Sequence, residues 1–193
     1  MKGLLIVKIE NTEVYNLEGA VKASKYPMAV DTDKLNGEIN SVTRVLGSAR
    51  PGTGHDNYLQ GILVKFDLTC SNKMWVEFER YHFMDIVSSQ STMHRIAKLA
   101  DTDCFNEYVT DETKAEVKRL LDIYNKTQDK EDYLRLLYNT PSGIELTAQI
   151  VTNYRQLKTM YIQRRDHRLP EWRKFCEEIL KLPHFCELTD ADH

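Results

Sequence analysis

Apolar and polar positions alternate or recur along this chain in a way that sorts it into two halves. Leu4 to Ile9 form a brief apolar run closed by charge, which reads as a short buried strand. Leu17 to Ser24 follow as a single helical segment ahead of Pro27, and residues 29–57 are punctuated by Asp31, Asn36, Gly37, Gly47, Pro51, Gly52 and Gly54, a turn-rich connection. The segment from Gly61 to Thr69, GILVKFDLT, is rich in strand formers and partly alternating, which predicts a central strand. From Met74 to Phe83 the residues Trp75, Phe78, Glu79 and His82 recur at helical spacing, and the polar run Ser88 to Thr92 then interrupts the pattern as a loop.

The second half is more helical. Asp111 stands where a cap belongs for a helix over about 112–125, with Val117, Leu120, Leu121 and Tyr124 inward, and Asp129 caps another carrying Tyr133, Leu136 and Leu137. Pro141-Ser142-Gly143 breaks the chain before a long helix over about 144–165. A last helix starts at Pro170, a residue favoured in the first turn, and buries Trp172, Phe175, Cys176 and Ile179 before Pro183 stops it. With 193 residues and no internal repeat, the expectation is one domain over 1–193, α+β, with a central sheet and helices packed on it.

Charge sharpens this picture. Between Arg155 and Lys174 lie seven Lys or Arg and two acids, about +5, so that with a total of −3 the remainder is about −8. A positive field confined to one stretch points to an anionic ligand, whereas the acidic whole argues against nucleic acid or a membrane as partner. A solvated basic helix face is the plain structural alternative. The cysteines 70, 104, 176 and 186 share no CxxC spacing, and the six histidines lack paired-ligand spacing, so neither a disulfide framework nor a metal site is expected. The N-terminal apolar run is too short for a signal peptide, and no stretch could span a bilayer; the expectation is a soluble cytoplasmic protein.

Three groups of residues could carry chemistry. On the long helix, Asn153, Leu157, Met160 and Arg164 share a stripe beside Arg155, Lys158 and Ile162, and a guanidinium on a partly apolar stripe asks for a phosphate, a carboxylate or an acid of the chain itself. The segment Ser88-Ser89-Gln90-Ser91-Thr92-Met93-His94-Arg95 gathers hydroxyls, an amide, an imidazole and a guanidinium, an anion cradle or equally a set of caps and turns. The glycine-rich stretch 47–56 allows close backbone approach to a ligand, or serves as a flexible connection.

Two separated stretches resemble the flavin-dependent thymidylate synthases. The family shows H-x-S-x-x-E-H, a strand, then Q-x-x-RHR-x-x-S-x-N-E-x-S-x-R-Y; here His55 to Gly61 lead into Leu63 to Leu68, and Glu77-Phe78-Glu79-Arg80-Tyr81-His82 stands at the RHR motif. Downstream the family has N-A-R-S-L and L-R-x-D-S-H-A-Q-W-E, matched by Asn153-Tyr154-Arg155-Gln156-Leu157 and by Gln163 to His167 with Glu171-Trp172. The second and third members of RHR differ, and the N-E-x-S-x-R-Y part corresponds only as the region 88–95. The resemblance implies the family's fold, a homotetramer with active sites between subunits, and binding of FAD and dUMP. It implies FAD contacts for Arg80, His82, Asn153 and Arg155. It implies nucleotide contacts for Ser88, Ser89, Gln90, Ser91, Thr92, His94, Arg95 and Arg164. The implied reaction is reductive methyl transfer to the uracil ring with NADPH and a methylene folate and without a protein nucleophile; no catalytic residue is assigned. A nucleotide-binding or regulatory protein that keeps the fold without flavin chemistry is the alternative, and a single-strand nucleic-acid binder using the basic helix with Tyr154 and Tyr161 is a third.

Overall fold

The computed structural model describes residues 7–82 and 84–191. Its framework is an antiparallel sheet in the order β1-β2-β4-β3, with β1 at Lys8–Tyr15, β2 at Leu63–Ser71, β3 at Asp85–Ser89 and β4 at Glu145–Asn153. β2 and β4 are the inner pair and run in unbroken register from Leu63 opposite Asn153 to Ser71 opposite Glu145. Alternate residues of both strands bury one face: Val64, Phe66, Leu68 and Cys70 from β2, and Leu146, Ala148 and Ile150 from β4. The other face is polar and cross-linked across strands. Asp67 accepts hydrogen bonds from Asn11 at 2.7 Å and Gln149 at 3.3 Å, and the Thr69 and Thr147 hydroxyls meet at 2.7 Å. The expected α+β architecture with a central antiparallel sheet is therefore what the chain adopts.

Helices cover the buried face. α1 (Leu17–Ala23), α3 (Asn72–Phe78), α7 (Tyr154–Arg164) and α8 (Pro170–Ile179) supply Val21, Trp75, Phe78, Leu157, Met160, Trp172 and Phe175 to one continuous core. Phe78 stacks 4.4 Å from Trp172 and meets Phe175 edge-on at 5.4 Å, a geometry that favours aromatic pairs beyond the area they bury. α4 (Thr92–Leu99), α5 (Asp111–Thr127) and α6 (Lys130–Tyr138) gather a second apolar cluster around Ile96, Leu121 and Leu136. α2 (Ser41–Ser48) packs against the short α9 (Phe185–Thr189).

Several expectations change. The long helix over 144–165 divides into β4 and α7. Residues 145–153 alternate buried and half-buried, a period of two, because they sit between two other strands; helical spacing starts only at Tyr154, where the Asn153 side chain caps α7 by accepting from the Gln156 N–H at 3.0 Å. The turn-rich stretch 29–57 contains α2, capped by Asn40 on the Thr43 N–H at 3.0 Å. The expected loop at 88–92 is instead the end of strand β3, at Ser88 and Ser89, and the start of α4, at Thr92. α3 stops at Phe78, which leaves His82 outside it, and Phe83 lies outside the described residues. α5 is capped by Thr110 rather than Asp111, whereas Asp129 caps α6 as expected by accepting from Glu131 N–H at 2.8 Å. The strand expected at Leu4 to Ile9 falls largely on residues outside the described set; β1 continues to Tyr15. Among the described residues no helix is long and apolar enough to cross a membrane, and all four cysteines are free.

Candidate functional site

α7 leaves the sheet at the end of β4, and its first turn borders an open groove of about 480 Å³. Asn153, Arg155, Gln156 and Thr159 form one wall, and Pro51, Gly52 and Gln60 form the other. The volume falls within the roughly 300–1,000 Å³ usual for small-molecule sites. Gly52 has φ +92°, a left-handed conformation suited to glycine, and no heavy atom lies within 4 Å of where a Cβ would stand, so a ligand can approach the backbone there.

Arg155 is the charged side chain of this groove. Its Nε–H donates to Asp56 Oδ1 at 3.0 Å, and Asp56 is fully buried. The other oxygen of Asp56 accepts from Lys158 Nζ at 3.1 Å, and Lys158 also donates to the backbone carbonyls of Gly47, at 2.7 Å, and Ala49. The glycine-rich stretch is therefore not a loose connection: Gly47 lies inside α2, and the turn after it is pinned to α7. Lys158, expected on a stripe with Arg155 and Ile162, is buried.

Arg164 closes α7 about 14 Å along its axis from Arg155, at 1.5 Å per residue. Its guanidinium lies 4.8 Å from the ring centre of Tyr81 and 5.0 Å from that of Trp172, and its Nε is buried without a hydrogen-bond partner among the described residues. Burial of the neighbouring His167, with the Arg164 charge beside it, lowers the His167 pKa. Trp172 in turn donates its indole N–H to Glu77 at 2.9 Å. The expectation that Arg164 needs a counterion is only half met within the chain, since aromatic faces rather than a carboxylate receive its charge.

The remaining predicted residues lie elsewhere. Arg80 and His82 are exposed in the turn after α3, where His82 borders a second cavity of about 380 Å³ with Trp75, Tyr81 and Ile86. Ser88 and Ser89 are exposed on β3 at the edge of the sheet, and Gln90 exchanges bonds with Thr147, its Oε1 accepting from the Thr147 N–H at 2.9 Å. Ser91 precedes α4 without a side-chain cap bond; Thr92 begins the helix, and His94 and Arg95 are exposed on it. Ser89 lies opposite Ala148, five residues along β4 from Asn153 and so about 17 Å away. Within one chain the fold brings Asn153 and Arg155 together at one end of β4 and sets the hydroxyl-rich segment at the other. Asp56 joins these sites without having been singled out by the sequence, and Lys158, Tyr81 and Trp172, named there as parts of a stripe, a motif and a helix, stand against Asp56 and Arg164. Asp56 is one acid among 29, and nothing in its neighbours marks it as buried.

No protein-family model and no curated protein sequence matches the chain. Its three-dimensional arrangement, however, is that of the flavin-dependent thymidylate synthases, and the chain has their fold. A flavin-dependent thymidylate synthase ThyX from Helicobacter pylori, solved with FAD and dUMP, matches with a TM-score of 0.75 at 14% identity, over 97% of this chain and 99% of that one. A second structure of the Helicobacter pylori enzyme with FAD and dUMP gives 0.75 at 15% identity, over 96% and 97%. A UMP/dUMP methylase PolB from Streptomyces cacaoi, bound with 5-Br dUMP, gives 0.61 at 14% identity, over 96% and 91%.

Proposed function

We propose that this chain is a divergent flavin-dependent thymidylate synthase-like methyltransferase, binding a pyrimidine deoxynucleoside monophosphate of the dUMP type together with FAD. The observation that carries the reading is Arg155. It lines the groove at the end of β4, and no described residue engages its two terminal nitrogens, in a fold whose solved representatives hold dUMP and FAD. A guanidinium presented in this way suits two phosphate oxygens, and the amides of Gln60, Asn153 and Gln156 add neutral polar groups around it. The donor set and the open backbone at Gly52 fit the phosphate-bearing part of a nucleotide or a flavin dinucleotide. FAD, when bound, would supply hydride chemistry, with NADPH and a methylene folate as its co-reactants. The chain's own residues bind and orient: Asn153 and Arg155 at the groove, Arg164 on its aromatic shelf, Arg80 and His82 beside the second cavity.

The separation of the hydroxyl-rich segment from the groove within one chain suits a site shared between copies. Ser88 to Arg95 of one copy would face the groove of another in a homo-oligomer, by resemblance a tetramer. A cytoplasmic setting accords with the four free cysteines.

A second reading, nucleotide binding without flavin chemistry, draws on one observation. Tyr81, at the middle position of the family's RHR triplet, turns inward against Arg164 and Trp172, its ring centre 5.7 Å from that of Trp172. The visible spectrum of the purified protein after incubation with FAD separates the two. Flavin absorbance that stays with the protein, together with conversion of dUMP to dTMP when NADPH and methylene-tetrahydrofolate are added, supports the enzyme. A colourless protein that still binds dUMP supports the second reading, and one that binds neither ligand overturns both.

A further inference from the structure

We infer that the cavity beside Glu171, between the starts of α5 and α8, is a second binding site that takes a small primary-amine cation with an apolar body. The site is independent of the nucleotide reading.

The cavity, about 430 Å³, lies at the Ser71–Glu145 end of the inner strand pair, eight residues and so about 26 Å from the groove at Asn153. Its walls are mostly apolar, with Val109, Pro141, Leu169 and Pro170 among them. Two buried polar side chains also line it: Glu171 is 3% exposed and Asn106 5%. Both Glu171 oxygens accept from Ser71, one from its N–H and one from its Oγ–H, each at 2.7 Å. A carboxylate offers about four acceptor positions, so roughly two stay open. No cation among the described residues pairs with it, and Lys73 at the cavity mouth turns instead to Glu77, 3.4 Å away.

A carboxylate is rarely buried without a cation, because the interior replaces its lost hydration poorly. Burial accordingly raises the Glu171 pKa, and the Glu77 charge adds to this against the two bonds from Ser71. The half-buried Glu145 is raised by burial and then by the charges of Glu171 and Asp103, so the field in this corner is negative. Asn106 adds a donor. Its backbone N–H is fixed on the Gly143 carbonyl at 2.8 Å, and its Oδ1 accepts from the Tyr108 N–H at 3.0 Å. Its Nδ2 donates to no described residue, which leaves a buried amide N–H for an acceptor on the occupant.

An anion is the rival occupant, since helix starts present partial positive charge. Acids of the chain already answer those ends: Asp111 and Glu112 in the first turn of α5, and Glu171 itself in that of α8. A divalent metal asks for about six oxygen ligands, and among the described residues no three His, Cys, Asp or Glu side chains are grouped to hold one. An ammonium for Glu171, a hydrocarbon body for the walls and an oxygen for Asn106 are the parts that fit.

The test titrates tyramine, 2-phenylethylamine and cyclohexylmethylamine, each beside the alcohol that replaces its ammonium by a hydroxyl, into the wild type and Glu171→Gln by calorimetry. The glutamine still accepts the Ser71 N–H and relieves a buried charge, so the variant is expected to fold and lost binding would not report unfolding. At least one amine is expected to bind the wild type about tenfold or more tightly than its alcohol, with Glu171→Gln bringing the pair within about threefold. Amines that bind no better than their alcohols overturn the inference, as does a Glu171→Gln protein that keeps the amine preference. Tighter binding of 3-phenylpropionate, a carboxylate of similar size, overturns it in favour of an anion site. Should Glu171→Gln fail to fold, the wild type labelled with ¹⁵N-asparagine decides. The Asn106 side-chain amide resonances are expected to move with the preferred amine, and shifts that leave them in place put the amine elsewhere and overturn the assignment. None of these outcomes depends on whether the protein binds dUMP.

Discussion

Arg164→Ala separates a ligand-binding arginine from a structural one, because the terms that set its stability effect nearly cancel. Arg164 lies 4.8 Å and 5.0 Å from the centres of Tyr81 and Trp172, inside the roughly 6 Å range of cation–π attraction. Two such contacts contribute about 0.5–1 kcal/mol each where partly exposed, so truncation forfeits about 1–2 kcal/mol. Against this stands the buried Nε with no partner among the described residues, whose desolvation costs about 1–3 kcal/mol and disappears with the side chain. The net change in folding free energy is then expected within about 2 kcal/mol of zero, measured by urea denaturation. A contact between this guanidinium and a phosphate is a hydrogen bond to a charged group, about 1.5–3 kcal/mol, or about 10- to 150-fold in dUMP affinity measured by calorimetry. A variant that loses more than about 3 kcal/mol of stability yet, while folded, binds dUMP like the wild type would refute the reasoning and make Arg164 a packing residue.

Other consequences follow from the same geometry. Arg164→Ala also removes a cation beside His167, whose pKa is held down by burial and then by that charge, so the His167 titration followed by NMR is expected to move upward; no movement would place Arg164 elsewhere in solution. Burial raises the Glu171 pKa above its ordinary 4.5, so its stabilising contribution is present below pH 4.5 and lost as pH rises through the folded-state value. Glu171→Gln can still accept the Ser71 N–H bond, and is expected to match or exceed wild-type stability at pH 7, with its advantage shrinking toward pH 4; a variant clearly weaker at pH 7 would contradict this. Gly47→Ala would set a Cβ 2.0 Å from the Leu188 carbonyl oxygen and 2.4 Å from the Tyr58 hydroxyl. Despite a helix-propensity gain of about 1 kcal/mol it should lower stability by about 2 kcal/mol or more in thermal melts, and a stabilised variant would mean that α2 and α9 are not in contact.

What the sequence revealed, and what it hid, divides along physical lines. β2 and α8 could be read because each shows its own period on a single buried face, down to Pro170 in the first turn of α8. β4 could not. The residues ELTAQIVTN mix Leu, Ala and Gln with Ile, Val and Thr, and run into a true helix without a glycine or proline between them; only pairing with β2 and β3 makes them extended. α2 was hidden because its glycine and polar residues resemble a turn, and the neighbour that buries Gly47 lies some 140 residues away in α9. Arg155 and Arg164 stood out as part of a basic helical stretch, whereas Asn153, inside the longer helix expected over 144–165, is in fact the cap that opens α7. Asp56 did not stand out, since what makes it consequential is that Arg155 and Lys158 close over it, a contact across about a hundred residues that local spacing cannot encode.

Whether the chain holds a dUMP-type nucleotide is read from the melting temperature of the wild-type protein as dUMP is added. Preferential binding to the folded state stabilises by about 2.7 kcal/mol at a hundredfold excess over Kd. For a chain of 193 residues that corresponds to a rise of about 5–11 °C. A saturable rise of that size with dUMP, and a much smaller one with deoxyuridine, is the predicted result. A melting temperature unmoved by millimolar dUMP, with or without FAD, would contradict it.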